Sequence, residues 1–439
     1  MGRLFLSVLG RGSLKNGKYE YDKCNYRYGD FEPIPTRYIQ DASIRLFCKG
    51  WNSSNGDRVR ILCTEKSLGD QWNGEGHLKE CLNRLKNEPC YSGLDFSNSV
   101  VEMPEGRTKA ELWEIFEKIL SSVDKDDEIW LDVTHGFRFI PMLVLVAVPY
   151  LRLVKNAEIQ SITYGAGVVE NGDGSVPILV LTDFVNLMDW TNAASNFVRF
   201  GRFDDCEKLI KSANQNILKE TKGKDKEADT CRGLAIDVGN LSKGILQNRL
   251  EDAVIKGIPP ETFSRIDFLA ERELRIPPFR PLLSQIADKL SPFKPNSLGN
   301  VFEAVRWCLE HRCLQNGYSI LYEGFILIVK EKLKRDGFKD VVDENWDAKS
   351  PNNPIGVYKR WEKGECGERD PELRKSMFND KFEYAQALDT LNQKRNAFMH
   401  CGTGKDKLSE KDGDLEKILR DCCDKLEKWY KELNLEKGN

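Results

Sequence analysis

Neither sign of charge dominates this chain, and that excludes one class of function at once. Its 439 residues carry 66 Lys and Arg against 69 Asp and Glu, a net charge of −3 with 31% of residues charged. No global cationic field exists of the kind that holds a protein on duplex DNA, so any contact with nucleic acid must be local. Paired cysteine motifs are missing too. The thirteen cysteines are odd in number and scattered, with no Cys-x-x-Cys and no signal-like start; they read as reduced, mostly buried thiols of a cytoplasmic protein. Histidine is scarce: His77, His135, His311 and His400 are all there are, and none falls in a His-x-x-x-His or His-Glu-x-x-His pattern. In "CLEHRC", Cys308, His311 and Cys313 share a helix, but thiols five apart converge poorly on one ion, so packing is the better reading and no metal is assigned. Long apolar runs are lacking as well. The strongest, "FIPMLVLVAVPYLRLV" (Phe139–Val154), is too short to span a membrane and holds Pro141 and Pro149, so it reads as a buried helix.

What is present divides in two. The length suits two to three domains. Up to residue 187, β-rich apolar runs alternate with amphipathic helical ones, the pattern of a mostly parallel sheet covered by helices. The expected strands are Arg3–Leu9, Arg58–Cys63, Val100–Met103, Glu128–Val133, Ile159–Gly165 and Pro177–Leu181, with a small hairpin at Lys18–Tyr28. Beyond that point helical spacing dominates. Residues 188–296 read as a helical connector, "SPFKPNSLGN" (Ser291–Asn300) as a linker, and 297–439 as a helical domain with helices at Val301–Cys313, Ile320–Lys334, Lys381–His400 and Asp414–Leu433. A polar, proline-containing stretch near Asp343–Phe378 reads as a surface insertion. The fold class is therefore α/β followed by all-α.

"DVTHGFR" (Asp132–Arg138) lies at the carboxyl end of an expected strand and just before the apolar helix. Open α/β sheets bind ligands outside the carboxyl ends of their strands, and a helix start offers free N–H groups to phosphates. Thr134, His135, Gly136 and Arg138 would then face a phosphate or base; equally, Thr134 caps the helix and His135 is a turn histidine. "LGRGS" follows the first strand in the same way. Gly10 and Gly12 permit close backbone approach, while Arg11 and Ser13 add polar groups; a plain tight turn is the other reading. The dinucleotide fingerprint fails, because Ser13, Leu14 and Lys15 follow the Gly-x-Gly and a hairpin follows in place of a helix.

Near the end of the chain, "LNQKRNAFMHCG" places Arg395, Asn396 and His400 within six residues. On a helix Asn396 and His400 share a face, and Arg395 lies about 140° round from His400 at roughly 100° per residue. RNA cleavage without a metal uses the neighbouring 2′-OH as nucleophile and asks for proton transfer and for positive charge around a developing pentavalent phosphate. Histidine supplies the first and arginine the second. Asn396 would bind a phosphate or hold the imidazole in one tautomer. Two chains meeting on a two-fold axis would double the set. The alternative is a helix C-terminus whose dipole favours His400 and Arg395, with Gly402 as the residue past the cap.

Together these segments resemble the CRISPR-associated ribonucleases of type III systems that join an N-terminal CARF domain to a C-terminal HEPN domain. The Arg-x4-His hallmark stands here as Arg395 to His400. The CARF side is matched by "SVLGRGS", "DVTHGFR" and "YGAG" (Tyr164–Gly167), and the likeness runs through the whole chain in domain order. It implies a Rossmann-like CARF dimer that binds a cyclic oligoadenylate, tetra-adenylate before hexa-adenylate, through Gly10 to Ser13 and Thr134 to Arg138. It also implies a homodimeric or higher HEPN assembly that cleaves single-stranded RNA at Arg395 and His400, with Asn396 in support and without a metal or other cofactor. Cleavage by 2′-OH attack would leave a 2′,3′-cyclic phosphate. The Asp343–Phe378 insertion departs from a minimal HEPN domain. A different class of function keeps the ligand-binding half and makes the helical half a non-catalytic regulator binding DNA or protein. That reading wants a basic recognition helix, and Lys211–Lys226 is mixed in sign through Glu220 and Asp225.

Overall fold

The computed structural model describes the chain apart from residues 1, 74–76, 138, 168, 170, 276, 343–349, 351, 402–413 and 434–439. It divides into two compact units, Met1–Met188 and Asp189–Asn439. The first strand, β1 (Arg3–Leu9), explains the centre of the first unit. Leu4, Leu6 and Val8 point to one face, Phe5 and Leu9 to the other. A strand apolar on both faces has to be covered on both. On one side Ile115 and Ile119 of helix Lys109–Ser121 and Val144, Ala147 and Val148 of helix Ile140–Lys155 do so. On the other, Ile44 of helix Ile39–Phe47 and Leu78, Leu82 and Leu85 of helix Leu78–Lys86 complete the core.

The chain continues through β2 (Ser13–Lys15), β3 (Lys18–Glu20), β4 (Cys24–Arg27), β5 (Ile34–Thr36), β6 (Arg58–Cys63), β7 (Val100–Glu102), β8 (Glu128–Asp132), β9 (Glu158–Gly165) and β10 (Val176–Val180). The main sheet runs β5-β4-β10-β9-β8-β1-β6-β7. Its five-strand centre, β9 to β7, is parallel throughout; β10 is antiparallel to β9, and β5 to β4. From β1 the chain builds outward through β6 and β7, then returns to lay β8 and β9 on the opposite side. The reversal of strand order therefore falls between β1 and β8, the crevice where open α/β sheets take ligands. Every expected strand is present to within a residue at each end.

Two expectations for this unit are corrected. The hairpin begins earlier than Lys18: β2 pairs with β3 around Asn16 and Gly17, both in the left-handed region with φ of 48° and 80°, the Asn-Gly turn that favours a tight hairpin. Cys24–Arg27 leaves the hairpin and extends the main sheet by pairing with β10. The apolar helix is also not buried. Ile140, Val144, Ala147, Val148 and Leu151 pack on the sheet, but Met142 (68% exposed), Val146 (64%) and Leu153 (83%) lie open with Leu145, Tyr150 and Val154. Composition alone cannot separate a helix apolar all round because it is sealed from one whose second face is left for something else.

The second unit is helical. One continuous core takes residues from Trp190, Phe203 and Leu234 through Ile286 and Phe293 to Val301, Phe325, Leu388 and Trp429. Helices of the 188–296 and 297–439 segments thus share it. The four late helices span Asn300–Glu310, Leu314–Arg335, Phe382–Met399 and Leu415–Glu432. The stretch read as a surface insertion is otherwise: helices Pro354–Lys363 and Asp370–Phe378 bury Val357, Leu373, Met377 and Phe378 in that core. Prolines 354 and 371 serve as helix starts, where a missing N–H costs nothing. Residues 343–349 and 351 of the stretch lie outside the described part. Among the described residues no helix is long and apolar enough to cross a membrane.

The expected linker is likewise packed. Phe293 is 3% exposed, and Asn300, 1% exposed, accepts from the Lys294 N–H at 2.8 Å while donating to the carbonyls of Val254 at 3.0 Å and Lys294 at 2.6 Å. Removing this one buried side chain would take its hydrogen bonds away from the backbone of Val254, Ile255 and Lys294, a buried group left without its partner costing about 1–3 kcal/mol. Asn300→Ala should therefore lower the unfolding free energy by about 2–4 kcal/mol in urea titration; a free linker would show no loss.

Candidate functional site

The carboxyl ends of β1 and β8 open on a cavity of about 550 Å³ within the first unit. Gly10, Arg11, Gly12 and Ser13 line it from one loop, Thr134, His135 and Gly136 from the other, and Gly167 from the end of "YGAG". Seven of the eight ligand residues expected from sequence thus border one space; the eighth, Arg138, lies outside the described residues. Tyr19, Glu20, Tyr21 and Asp22, from the hairpin and the turn after it, form a further wall that the sequence reading did not assign. Their signal was the Asn16-Gly17 turn, which folds the segment back over the loop that precedes it.

Asp132 organises the β8 side. Its carboxylate is 1% exposed and receives the Ser7 hydroxyl at 2.6 Å, the Thr134 hydroxyl at 2.5 Å and the Thr134 N–H at 3.2 Å. Burial pushes this carboxyl above the ordinary range, and those donors pull it back. The Ser7 contact follows from register, since Ser7 and Asp132 are partners in the parallel β1–β8 pair. Gln40 donates to Ser7 Oγ at 3.2 Å and to the Val8 carbonyl at 2.8 Å. The Thr134 oxygen in turn accepts the Gly165 N–H at 2.7 Å. Its single proton is therefore spent on Asp132, and what Thr134 can offer a ligand is a lone pair.

The glycines work mainly against the protein itself. A side chain at Gly10 would meet the Tyr21 hydroxyl at 2.9 Å and the Gly136 nitrogen at 3.1 Å; at Gly12, with φ of 79°, it would meet the Glu20 carbonyl oxygen at 2.5 Å. They let the two loops and the hairpin close on one another. Arg11 pairs with Asp70 at 2.5 Å and lies 3.7 Å over the Tyr19 ring. Gln71, 2% exposed, clamps the loop to the hairpin by donating to the carbonyls of Arg11 and Tyr19, both at 2.6 Å. Asp70 and Gln71 sit in a single π-type turn, Leu68–Trp72, a feature enriched at functional sites.

His135 stacks on Tyr21 with ring centroids 4.2 Å apart and an interplanar angle of 28°. Its Nε2 is sealed and has no hydrogen-bond partner among the described residues. Burial pushes the imidazole down to about 4 and the Tyr21 phenol up.

In the second unit, helix Phe382–Met399 buries Tyr384, Leu388, Leu391 and Ala397 against the core, turning Arg395 and Asn396 toward the boundary with solvent. Arg395 Nη2 donates to Glu323 at 2.8 Å, Nη1 to Asn396 Oδ1 at 3.3 Å, and the guanidinium carbon lies 5.4 Å from the Tyr322 ring centroid. Asn396 also donates to Asn392 at 3.3 Å. His400 is the exposed residue capping the helix, its backbone N–H bonded to the Asn396 carbonyl at 3.0 Å. Gly402 lies outside the described residues. Glu323 and Tyr322 escaped the sequence reading because they stand on another helix, Glu323 being 72 positions away from Arg395. The "CLEHRC" residues do not share one helix as expected: it ends at Glu310, His311 caps it, and Cys313 precedes the next helix. The Cys308 thiol is buried with its pKa raised, and the His311 ring lies edge-on to Trp307.

A Rossmann-like sheet with a cavity at its order reversal, followed by helices, defines the class: an α/β unit and then a helical unit. Residues 4–167 match the family described as CRISPR system endoribonuclease Csx1, CARF domain. A CRISPR-associated protein of Methanocaldococcus jannaschii is 27% identical over 169 residues, which make up 37% of this chain and 27% of that protein. This chain therefore matches about a quarter of the length of that curated relative. The solved structure of Enterococcus italicus Csm6 bound to cyclic hexa-2′-fluoro-hexa-dAMP covers 98% of this chain and 94% of its own at 10% identity, with a TM-score of 0.46.

The buried Nε2 of His135 gives this unit a pH dependence. Folded His135 stays neutral down to about pH 4, whereas an unfolded histidine takes up a proton near 6.5. Below pH 6.5 the unfolded state binds the extra proton, so stability falls as the pH drops toward 4. We expect the stability difference between wild type and His135→Gln to shrink by about 2 kcal/mol between pH 7.5 and 4.5 in urea titrations. A constant difference would show that the ring exchanges protons freely.

Proposed function

We propose that this protein is an endoribonuclease of CRISPR defence that cleaves single-stranded RNA without a metal when a cyclic oligoadenylate occupies its N-terminal unit. The observation that carries the reading is the match of residues 4–167 to the CARF domain of a CRISPR endoribonuclease family, over the segment whose loops line the cavity. In this reading Gly10 to Ser13 and Thr134 to Gly136, with Arg138, contact the activator. Residues 188–296 connect the sensor to a HEPN-type ribonuclease domain at 297–439. Tetra-adenylate is favoured over hexa-adenylate by the resemblance alone.

The reaction is built from Arg395, Asn396 and His400. A ribose 2′-OH attacks the adjacent phosphorus, the 5′-oxygen of the next nucleotide leaves, and the product ends in a 2′,3′-cyclic phosphate. His400, exposed at the helix end, exchanges the proton with the reacting oxygens. Arg395 offers N–H groups to the non-bridging oxygens as negative charge builds, and Asn396 supports the guanidinium at 3.3 Å. Two copies of the chain supply two such sets. The exposed apolar face of helix Ile140–Lys155, with Met142, Val146 and Leu153, supports a homodimer through the first unit.

Three outcomes test the reading. Fluorescent single-stranded RNA should be cut in EDTA only when cyclic tetra- or hexa-adenylate is added, and His400→Ala should abolish cleavage while activator binding by calorimetry is unchanged. A His400→Ala protein with full activity would remove the residue from the reaction. Leu153→Glu should convert the dimer to a monomer in analytical ultracentrifugation and lower activator-dependent cleavage at least tenfold; a variant that remains dimeric and active would move the interface elsewhere.

A further inference from the structure

We propose that Glu323 is the positioning residue that aims Arg395 at the scissile phosphate, an inference that rests on the ribonuclease reading above. A guanidinium carries five N–H donors in a fixed fork, and how it is held decides which of them remain for a ligand. Here Nη2 is held by Glu323 at 2.8 Å and Nη1 by Asn396 at 3.3 Å. Nε is sealed with no partner among the described residues, and the plane lies near the Tyr322 ring, itself 3% exposed. Contacts at both terminal nitrogens fix the last rotation of the side chain. Each of those nitrogens keeps a second N–H with which the guanidinium can meet phosphate oxygens. The arginine is 30% and the glutamate 43% exposed, so the pair sits where RNA can reach it.

The support behind Glu323 is rigid. The neighbouring Gly324 lets its helix close on Val301, where any side chain would meet Val301 Cγ1 at 2.5 Å. Tyr322 is buried on the preceding position. Glu323 is thus presented by a packed helix on which both sequence neighbours are fixed, the arrangement needed to hold a reacting group to within a fraction of an ångström. An ion pair of this exposure does little for fold stability, which leaves its effect on Arg395 as the reason it matters.

The carboxylate acts in two opposed ways, and that separates positioning from simple structural support. It holds the fork, which raises the rate of the chemical step. It also places negative charge beside the phosphate, which weakens RNA binding. Glu323→Ala should therefore lower kcat by about 10–100-fold, as a displaced reacting group does, while KM falls by about threefold, the size of an exposed charge contact. Glu323→Gln keeps an acceptor for Nη2 but loses the charge: KM should fall as far as in the alanine variant, with kcat between the two.

The experiment is steady-state cleavage of fluorescent single-stranded RNA by the full-length chain in EDTA at saturating cyclic oligoadenylate, with wild type, Glu323→Gln, Glu323→Ala and Arg395→Ala. Wild-type cleavage lost in Arg395→Ala secures the ribonuclease reading; no wild-type cleavage overturns that reading and this proposal with it. Given an active wild type, opposite movement of kcat and KM supports the proposal. Unchanged kcat in Glu323→Ala overturns it alone, as does a rise, which would make the carboxylate a competitor of the phosphate. A fall in kcat with KM unmoved also overturns it, because that is what loss of folded protein produces. If the alanine variant does not fold, the glutamine variant decides by its KM.

Discussion

One buried carboxylate holds the first unit's crevice together. Removed from water, Asp132 would be costly if left alone, by several kcal/mol for an unpaired charge. The chain meets that cost with hydroxyls from Ser7 and Thr134 and the Thr134 N–H. Each donor ties down another element: Ser7 brings β1 and, through Gln40, helix Ile39–Phe47; Thr134 brings the loop after β8 and, through the Gly165 N–H, the end of β9. Two loops that line one cavity thus depart from strands locked to each other. The shape of the cavity follows from this lock more than from the loops that line it.

Much of the fold was legible because the signals were local. β1 and β6 stand where their apolar runs stand, since a strand covered on both faces leaves no doubt about its extent. Local signals also misled. The alternation of Lys18–Tyr28 suggested a hairpin, yet Asn16-Gly17 is the stronger determinant and draws the pairing back to Ser13–Glu20. "SPFKPNSLGN" has a linker's composition, but Asn300 binds its backbone into the core. Prolines 354 and 371 suggested an excursion into solvent, whereas each begins a helix that buries apolar residues.

The candidate sites divide along the same line. Loops at strand ends were found from sequence because topology delivers them to one edge of the sheet. The hairpin wall, Tyr21 against His135, and the clamp made by Gln71 were not, because these contacts join segments distant in the chain. Gly10 and Gly12 were found for a reason that the structure widens: the close approach they permit is to Tyr21, Gly136 and Glu20 of the protein itself. In the helical unit, Arg395 and Asn396 were adjacent in sequence and are in contact, while the carboxylate holding the arginine belongs to another helix.

The open face of helix Ile140–Lys155 carries a consequence beyond recognition. A helix that leaves Leu153 83% exposed has a free energy that depends on how often something covers it, and for a second copy that frequency is set by mass action. Were a second copy to cover it, the uncovered form would prevail at low concentration, and the covered form would grow as the square of the free chain concentration. On such self-pairing, the concentration at which half the helices are covered would be set by the apolar area of one face.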